Sequence, residues 1–183
     1  TIEAKSGYGL TLKDEIKSLR VIKKLNNNSD LDLVPTFMGA HAFPPEFINN
    51  HDGYVDLICN EMIPQISEEG LAEFCDVFCE EGYFSIEQTK KIFETALKYN
   101  LKLKIHADEF LDVGAASLAV EMGAISVDHL MVTGNKGRTD LANSNTIATL
   151  LPGTTFFLGK KTYASGRELI DMGCNVAIAT DFN

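Results

Sequence analysis

The 183-residue sequence contains no apolar run long enough to cross a bilayer as a helix, so a membrane span is not expected. Cations are scarce: 16 Lys and Arg stand against 26 Asp and Glu, a formal net charge of −10. No basic stripe interrupts that balance, so no nucleic-acid partner is expected, whereas a small anionic substrate needs only one or two local cations. Cysteine is limited to Cys59, Cys75, Cys79 and Cys174, with no C-x-x-C pair among them. They read as buried free thiols of a cytoplasmic protein rather than as a disulfide or a metal site. Also missing are an internal repeat, a low-complexity tract and a domain linker. No Gly-rich loop follows the late strand-like runs, which argues against a nucleotide-phosphate barrel. With 45% hydrophobic residues and 23% charged, what is there suffices for one substantial core, in one domain over residues 1–183.

Apolar or β-branched runs alternate with amphipathic stretches along the whole chain. The runs cover residues 2–6, 33–39, 75–79, 101–105, 124–127, 146–151 and 175–179, and their continuity suits strands buried on both faces of a parallel sheet. Between them, Thr11 is placed to cap a helix over 12–25, where Leu12, Ile16, Leu19, Ile22 and Leu25 recur at helical spacing. Ser85 and Gln88 form a capping box before 86–99, and Gly123 and Gly173 close helices over 115–122 and 167–172. A further helix over 54–63 is expected to stop at Pro64, and 26–30 is a polar turn. Seven alternations predict an α/β fold, a partial TIM-type (β/α)8 barrel with about seven of its eight strands. Because the sequence opens inside one strand-like run and stops just after another, the first strand is expected to lie outside it.

Active residues in such barrels sit at the C-terminal ends of strands. His41, Glu80, His106, Glu109, His129 and Asp181 all follow, or nearly follow, predicted strands. Imidazole and carboxylate side chains from separate strands suit one Zn²⁺ or Fe ion, which in turn lowers the pKa of a bound water towards ~7. His106 and Asp181 are the expected metal ligands, with His129 beside them as a proton carrier or electrostatic partner. Singly, each residue has a plainer reading. A strand-end histidine is more often structural, Asp181 alone would cap a helix or close a turn, and Cys79 would pack. Glu80 and Glu81 would be solvated loop charges, and His51 keeps its structural reading in a polar turn. The joint pattern carries the functional one.

Seven blocks extend the pattern: Glu3 to Gly9 (EAKSGYG), Gly39 to Ala42 (GAHA), Asp76 to Glu80 (DVFCE), Lys104 to Phe110 (KIHADEF), Ser126 to Leu130 (SVDHL), Leu151 to Phe157 (LPGTTFF) and Ala179 to Asn183 (ATDFN). In that order they resemble imidazolonepropionase, a metal-dependent hydrolase of the amidohydrolase superfamily. The resemblance implies hydrolysis of the ring C–N bond of 4-imidazolone-5-propanoate to N-formimidoyl-L-glutamate in histidine degradation, by a metal-activated water. It implies one zinc or iron ion held by His106 and Asp181, and catalytic roles for Glu109, His129 and Asp181. Tyr8, His41, Glu109 and Asn183 would contact the substrate. A cytoplasmic location follows, and a homodimer is left open. The family's His-x-His ligand pair, its carboxylate-binding arginine and its flanking small β domain have no counterpart in these 183 residues, so activity is expected of a longer parent protein. Two other readings stay open: an amidohydrolase for a different cyclic amide or aminated ring, and a non-catalytic barrel scaffold.

Overall fold

A computed structural model describes residues 1–182 of the chain. Its contacts define two compact units, the first made of Thr1–Phe78 and Glu87–Leu103, the second of Cys79–Ile86 and the chain from Lys104 onward. The elements run β1 (Ile2–Lys5), α1 (Leu12–Asn26), β2 (Leu33–Ala40), a 3-10 turn (Pro45–Phe47), α2 (His51–Leu57), a π-helical turn (Ile58–Met62), α3 (Ile63–Glu68), β3 (Phe74–Cys79) and α4 (Ile86–Lys98). The chain continues through β4 (Lys102–Ala107), α5 (Ala115–Met122), β5 (Ser126–His129), α6 (Asn135–Ala142), β6 (Ile147–Leu150), α7 (Pro152–Phe157), α8 (Gly166–Asp171) and β7 (Asn175–Ile178). In the first unit β1 pairs with β2 and β2 with β3, all parallel. In the second, β4, β5, β6 and β7 pair parallel in chain order.

The predicted strands all form, with ends shifted by a residue or two. Thr11 caps α1 as expected, accepting the amide of Asp14 at 3.1 Å, while Ile16 and Leu19 bury its apolar face. The stretch ending at Pro64 behaves differently. Instead of one helix over 54–63, the chain stays helical from His51 to Glu68, through the π-helical turn. That turn closes with the amide of Ile63 bonded to the carbonyl of Ile58. Pro64 then falls in the first turn of α3, where its missing N–H costs nothing and its fixed φ helps. Neither α6 nor α7 is among the predicted helices. Gly134 offers α6 no side-chain cap, and α7 is only six residues long, although Pro152 in its first turn is a helix-start signal.

Apolar burial in the first unit centres on Phe37, Tyr54, Ile58, Met62, Ile92 and Phe93. The pairing of β2 with β3 slips between Phe37 and Ala40, a bulge that re-aims the end of β2 where His41 emerges. Gly39 lies in that bulge. A Cβ there would come within 2.5 Å of the Phe37 ring, and the Tyr54 hydroxyl donates to the Gly39 carbonyl at 2.9 Å. Between β1 and β3, Lys5 pairs with the fully buried Asp76 at 2.6 Å, so that buried carboxylate is compensated. Glu15 is also fully buried. Its Oε1 accepts the amides of Gly9 at 2.8 Å and Leu10 at 2.9 Å, fixing the loop that carries Tyr8.

In the second unit the core is smaller-grained, with Ile105, Ala115, Ala119, Val127, Leu141 and Ala148 buried. Phe156, Phe157, Ile178 and Phe182 are largely exposed. All four cysteines are buried free thiols, as expected. No helix among the described residues is long and apolar enough to cross a membrane.

Replacing Gly39 by Ala should overpack the bulge and cost about 1–3 kcal/mol. A lower urea midpoint at unchanged slope would show it; an unchanged midpoint would mean the bulge tolerates a side chain.

Candidate active site

The second unit brings together three of the predicted residues. His106 is the penultimate residue of β4, and the parallel register sets it opposite Asp128 in β5, with Ala107 opposite His129. His106, Asp128 and His129 are all buried. The ring centroids of His106 and His129 lie 5.2 Å apart, tilted by 51°. Nε2 of His129 stands 3.6 Å from Oε2 of Glu109, an ion pair when the imidazole is protonated.

Backbone conformation at these strand ends is unusual. Asp108 (φ 52°), His129 (φ 79°) and Leu130 (φ 57°) are all left-handed without being glycine. Such residues cost on the order of 1–3 kcal/mol each and persist where the surroundings hold them. Here the amide of Leu130 donates to the Ala107 carbonyl at 3.1 Å, and that of Val132 to the Asp108 carbonyl at 2.9 Å.

Burial governs the charge state of two acids on the loop after β4. It pushes the Glu109 carboxyl up to about 7; His106 opposes the shift, and the charges of Asp181 and Glu80 add to it. The Asp108 carboxyl is fully buried and is pushed up to about 6, again chiefly by burial. Thr133 presents a hydroxyl towards it, but neither Asp108 oxygen has a hydrogen bond.

Glu80 corrects the reading of a solvated loop charge. Its side chain is buried, and its oxygens accept the amides of Phe110 at 2.9 Å and Leu111 at 3.2 Å. Burial of this acid depends on two amides thirty residues further along, which no local pattern reveals. Asp128 stands in the sequence only as part of the block SVDHL; the register beside His106 gives it its place.

Asp181 lies three residues past β7, exposed, left-handed (φ 50°) and accepting the Thr154 hydroxyl at 2.8 Å. A cleft lined by Glu109, Phe110, His129, Thr154, Thr155 and Lys160 adjoins these groups. In the first unit Tyr8 is exposed and meets the His41 ring edge-on, centroids 4.9 Å apart. Nδ1 of His41 donates to the Gly7 carbonyl at 2.9 Å, which leaves Nε2 as an acceptor in the neutral ring and a donor only when it is protonated. His51 stacks on Phe43 at 3.7 Å, in keeping with its structural reading. Asn183 lies outside the described residues.

For a metal, His106 and Asp128 offer ligand atoms within 4.8 Å of one another. Asp181 is not part of that cluster. An imidazole nitrogen and a carboxylate oxygen, buried at adjacent strand ends, fit the donor chemistry of Zn²⁺ or Fe.

Solved structures share this arrangement of strands and helices. Guanine deaminase from C. acetobutylicum with guanine bound matches 98% of the chain and 46% of its own, with a TM-score of 0.72 at 15% identity. The E241Q mutant of atrazine chlorohydrolase from Arthrobacter aurescens, complexed with zinc and atraton, matches 97% of the chain and 44% of its own, with a TM-score of 0.65 at 17% identity. The fold is therefore that of a partial TIM-type barrel, of which the described residues supply seven strands. No family model matches. Among curated proteins, however, imidazolonepropionase of Thermoanaerobacter pseudethanolicus is 54% identical over all 183 residues, and that of Alkaliphilus metalliredigens 50%. The chain is similar to these imidazolonepropionases from end to end, and spans 44% and 43% of their length.

Glu109 holds its proton up to about pH 7, whereas an unfolded glutamate releases it near 4.5. Between those values the folded chain binds more protons than the unfolded one, so this contribution to stability is complete below 4.5 and lost as pH rises through about 7. Asp108 acts in the same direction, between 3.8 and about 6. In the metal-free chain, Glu109→Gln should shrink the loss of stability between pH 5 and 8 by on the order of 2–3 kcal/mol. Urea unfolding at both pH values reads this directly; an identical loss in the two proteins would overturn burial as the cause.

Proposed function

We propose that the protein containing this chain hydrolyses the ring C–N bond of 4-imidazolone-5-propanoate to N-formimidoyl-L-glutamate, a step of histidine degradation, in the cytoplasm. The observation that carries this reading is the end-to-end match at 54% identity to a protein named for that activity. The grouping of His106, Glu109 and His129 supports it, because two imidazoles and a carboxyl close together suit metal binding and proton transfer.

In this reading His106 and Asp181 hold one zinc or iron ion, and Asp128, beside His106, is placed to join or orient them. When bound, the ion would polarise the ring carbonyl and make water a nucleophile near neutral pH. The remaining steps belong to the chain. Glu109, with a carboxyl held near 7, takes a proton from the attacking water and returns it to the leaving ring nitrogen. His129, 3.6 Å from Glu109, stabilises the charge that develops on the ring oxygen and shares the proton with Glu109. Asp181 accepts a proton from the water side. Tyr8 and His41, held as an edge-on pair, orient the substrate ring, with Asn183 as a further contact. Exposed Phe156, Phe157, Ile178 and Phe182 support a parent in which more chain covers this part of the barrel.

The test places these 183 residues in the frame of the Thermoanaerobacter pseudethanolicus relative, in place of its corresponding segment. Turnover of 4-imidazolone-5-propanoate should stay within about tenfold of that frame and exceed turnover of hydantoins and pterins. Preference for another ring would replace the reading with a different amidohydrolase; absence of stoichiometric metal would point to a scaffold.

In the same protein, Glu109→Gln should lower kcat on the order of a hundredfold or more while metal content holds. His106→Ala should lose the metal itself, measured by elemental analysis. A fully active Glu109→Gln would remove that residue from the chemistry.

A further inference from the structure

Among the described residues, no hydrogen bond fixes the Glu109 carboxylate; His129 stands 3.6 Å from it, and His106 acts on it only through its charge. Its aim is therefore set by the backbone on either side. On the N-terminal side, the left-handed Asp108 is held through its carbonyl, which accepts the amide of Val132 at 2.9 Å. On the C-terminal side the two following amides are both taken by one side chain. Glu80 accepts Phe110 through Oε2 at 2.9 Å, and Leu111 through Oε1 at 3.2 Å and Oε2 at 3.3 Å. Oε1 also accepts the amide of Glu81 at 3.0 Å, which ties the Glu80 side chain to its own backbone. The residue is 2% exposed, so water does not compete for these bonds.

We propose that Glu80 is the positioning residue for Glu109, holding the amides of residues 110 and 111 so that the Glu109 carboxylate faces the reacting ring. The inference rests on the hydrolysis proposed above and assigns Glu80 no contact with substrate. Three amides, those of Glu81, Phe110 and Leu111, share the two oxygens of one carboxylate. A glutamine of the same length keeps one oxygen and turns an NH₂ group against the amides on the other, those of Glu81 and Leu111 where Oε1 is replaced, so the loop must shift. Displacements of about 1 Å at a reacting group cost up to a hundredfold in rate.

A four-member cycle in the full-length chimera tests this: the parent, Glu80→Gln, Glu109→Gln and the double variant. Glu80→Gln should lower kcat on the order of tenfold to a hundredfold, with KM within about twofold and metal content unchanged. In the Glu109→Gln background it should cost nothing further, because the group it positions is already disabled. An equal loss in both backgrounds would make Glu80 a general structural support and overturn the proposal, as would an unaffected kcat in Glu80→Gln alone. Glu80→Asp keeps both oxygens but withdraws them by one methylene; it should show an intermediate loss and carries the cycle if Glu80→Gln does not fold. If Glu109→Gln itself keeps full kcat, the role of Glu109 in the hydrolysis fails and this proposal with it. A slow Glu109→Gln beside a fast Glu80→Gln removes the present inference alone.

Discussion

The arrangement of chemistry in the second unit depends on the register between β4 and β5. In a parallel pair, residues opposite each other share a face, and successive residues alternate faces. His106 opposite Asp128 therefore puts an imidazole and a carboxylate on one face at adjacent strand ends. His129, opposite Ala107, would be sent to the other face if the strand continued regularly. It does not continue. The left-handed backbone at His129 and Leu130 ends the alternation, and the ring comes within 5.2 Å of His106. A one-residue slip of β5 would move Asp128 to the far face and dismantle the group.

Loops after strands have amides without strand or helix partners, and burying them unpaired is costly. Each unit answers with a buried glutamate. Glu15 in α1 takes the amides of Gly9 and Leu10, and Glu80 takes those of Phe110 and Leu111. A charged acceptor on two amides is stronger than water would be, and it fixes the loop as a rigid piece. The loops so held carry Tyr8 and Glu109. Tyr8 and Glu109 thus sit on loops held by acids that belong to the scaffold, and the burial of Glu109 itself lifts its carboxyl.

The strands were legible because apolar runs of strand length, punctuated by polar strand ends, leave a pattern within five or six residues. The same pattern located His41, His106 and His129. Less was legible where a residue's environment comes from far along the chain. Glu80 looks like any loop charge until Phe110 and Leu111 return to it, and Asp128 has no distinction until β5 is set beside His106. The π-helical turn before Pro64 was invisible for a different reason. Proline is a reliable stop only if the helix needs that N–H, and a local change of pitch removes the need. α6 and α7 are no shorter than α5 and α8, which their closing glycines announce, but α6 is followed by Asn143 rather than glycine and neither has a side-chain cap at its start.

The fold alone does not choose a reaction, since it is shared with a guanine deaminase at 15% identity. Selection must lie in the side chains presented on it, and the loop after β4 shows how. A carboxyl raised by burial has a proton to surrender to a leaving nitrogen at neutral pH more often than one at its ordinary value, because more of it carries that proton. Burial raises the carboxyl of Glu109, which lines a cleft together with Phe110 and Leu158. In the hydrolysis proposed above, a group that takes a proton from water can return it to the leaving nitrogen. Glu109 would be that group, with a carboxyl raised chiefly by its burial.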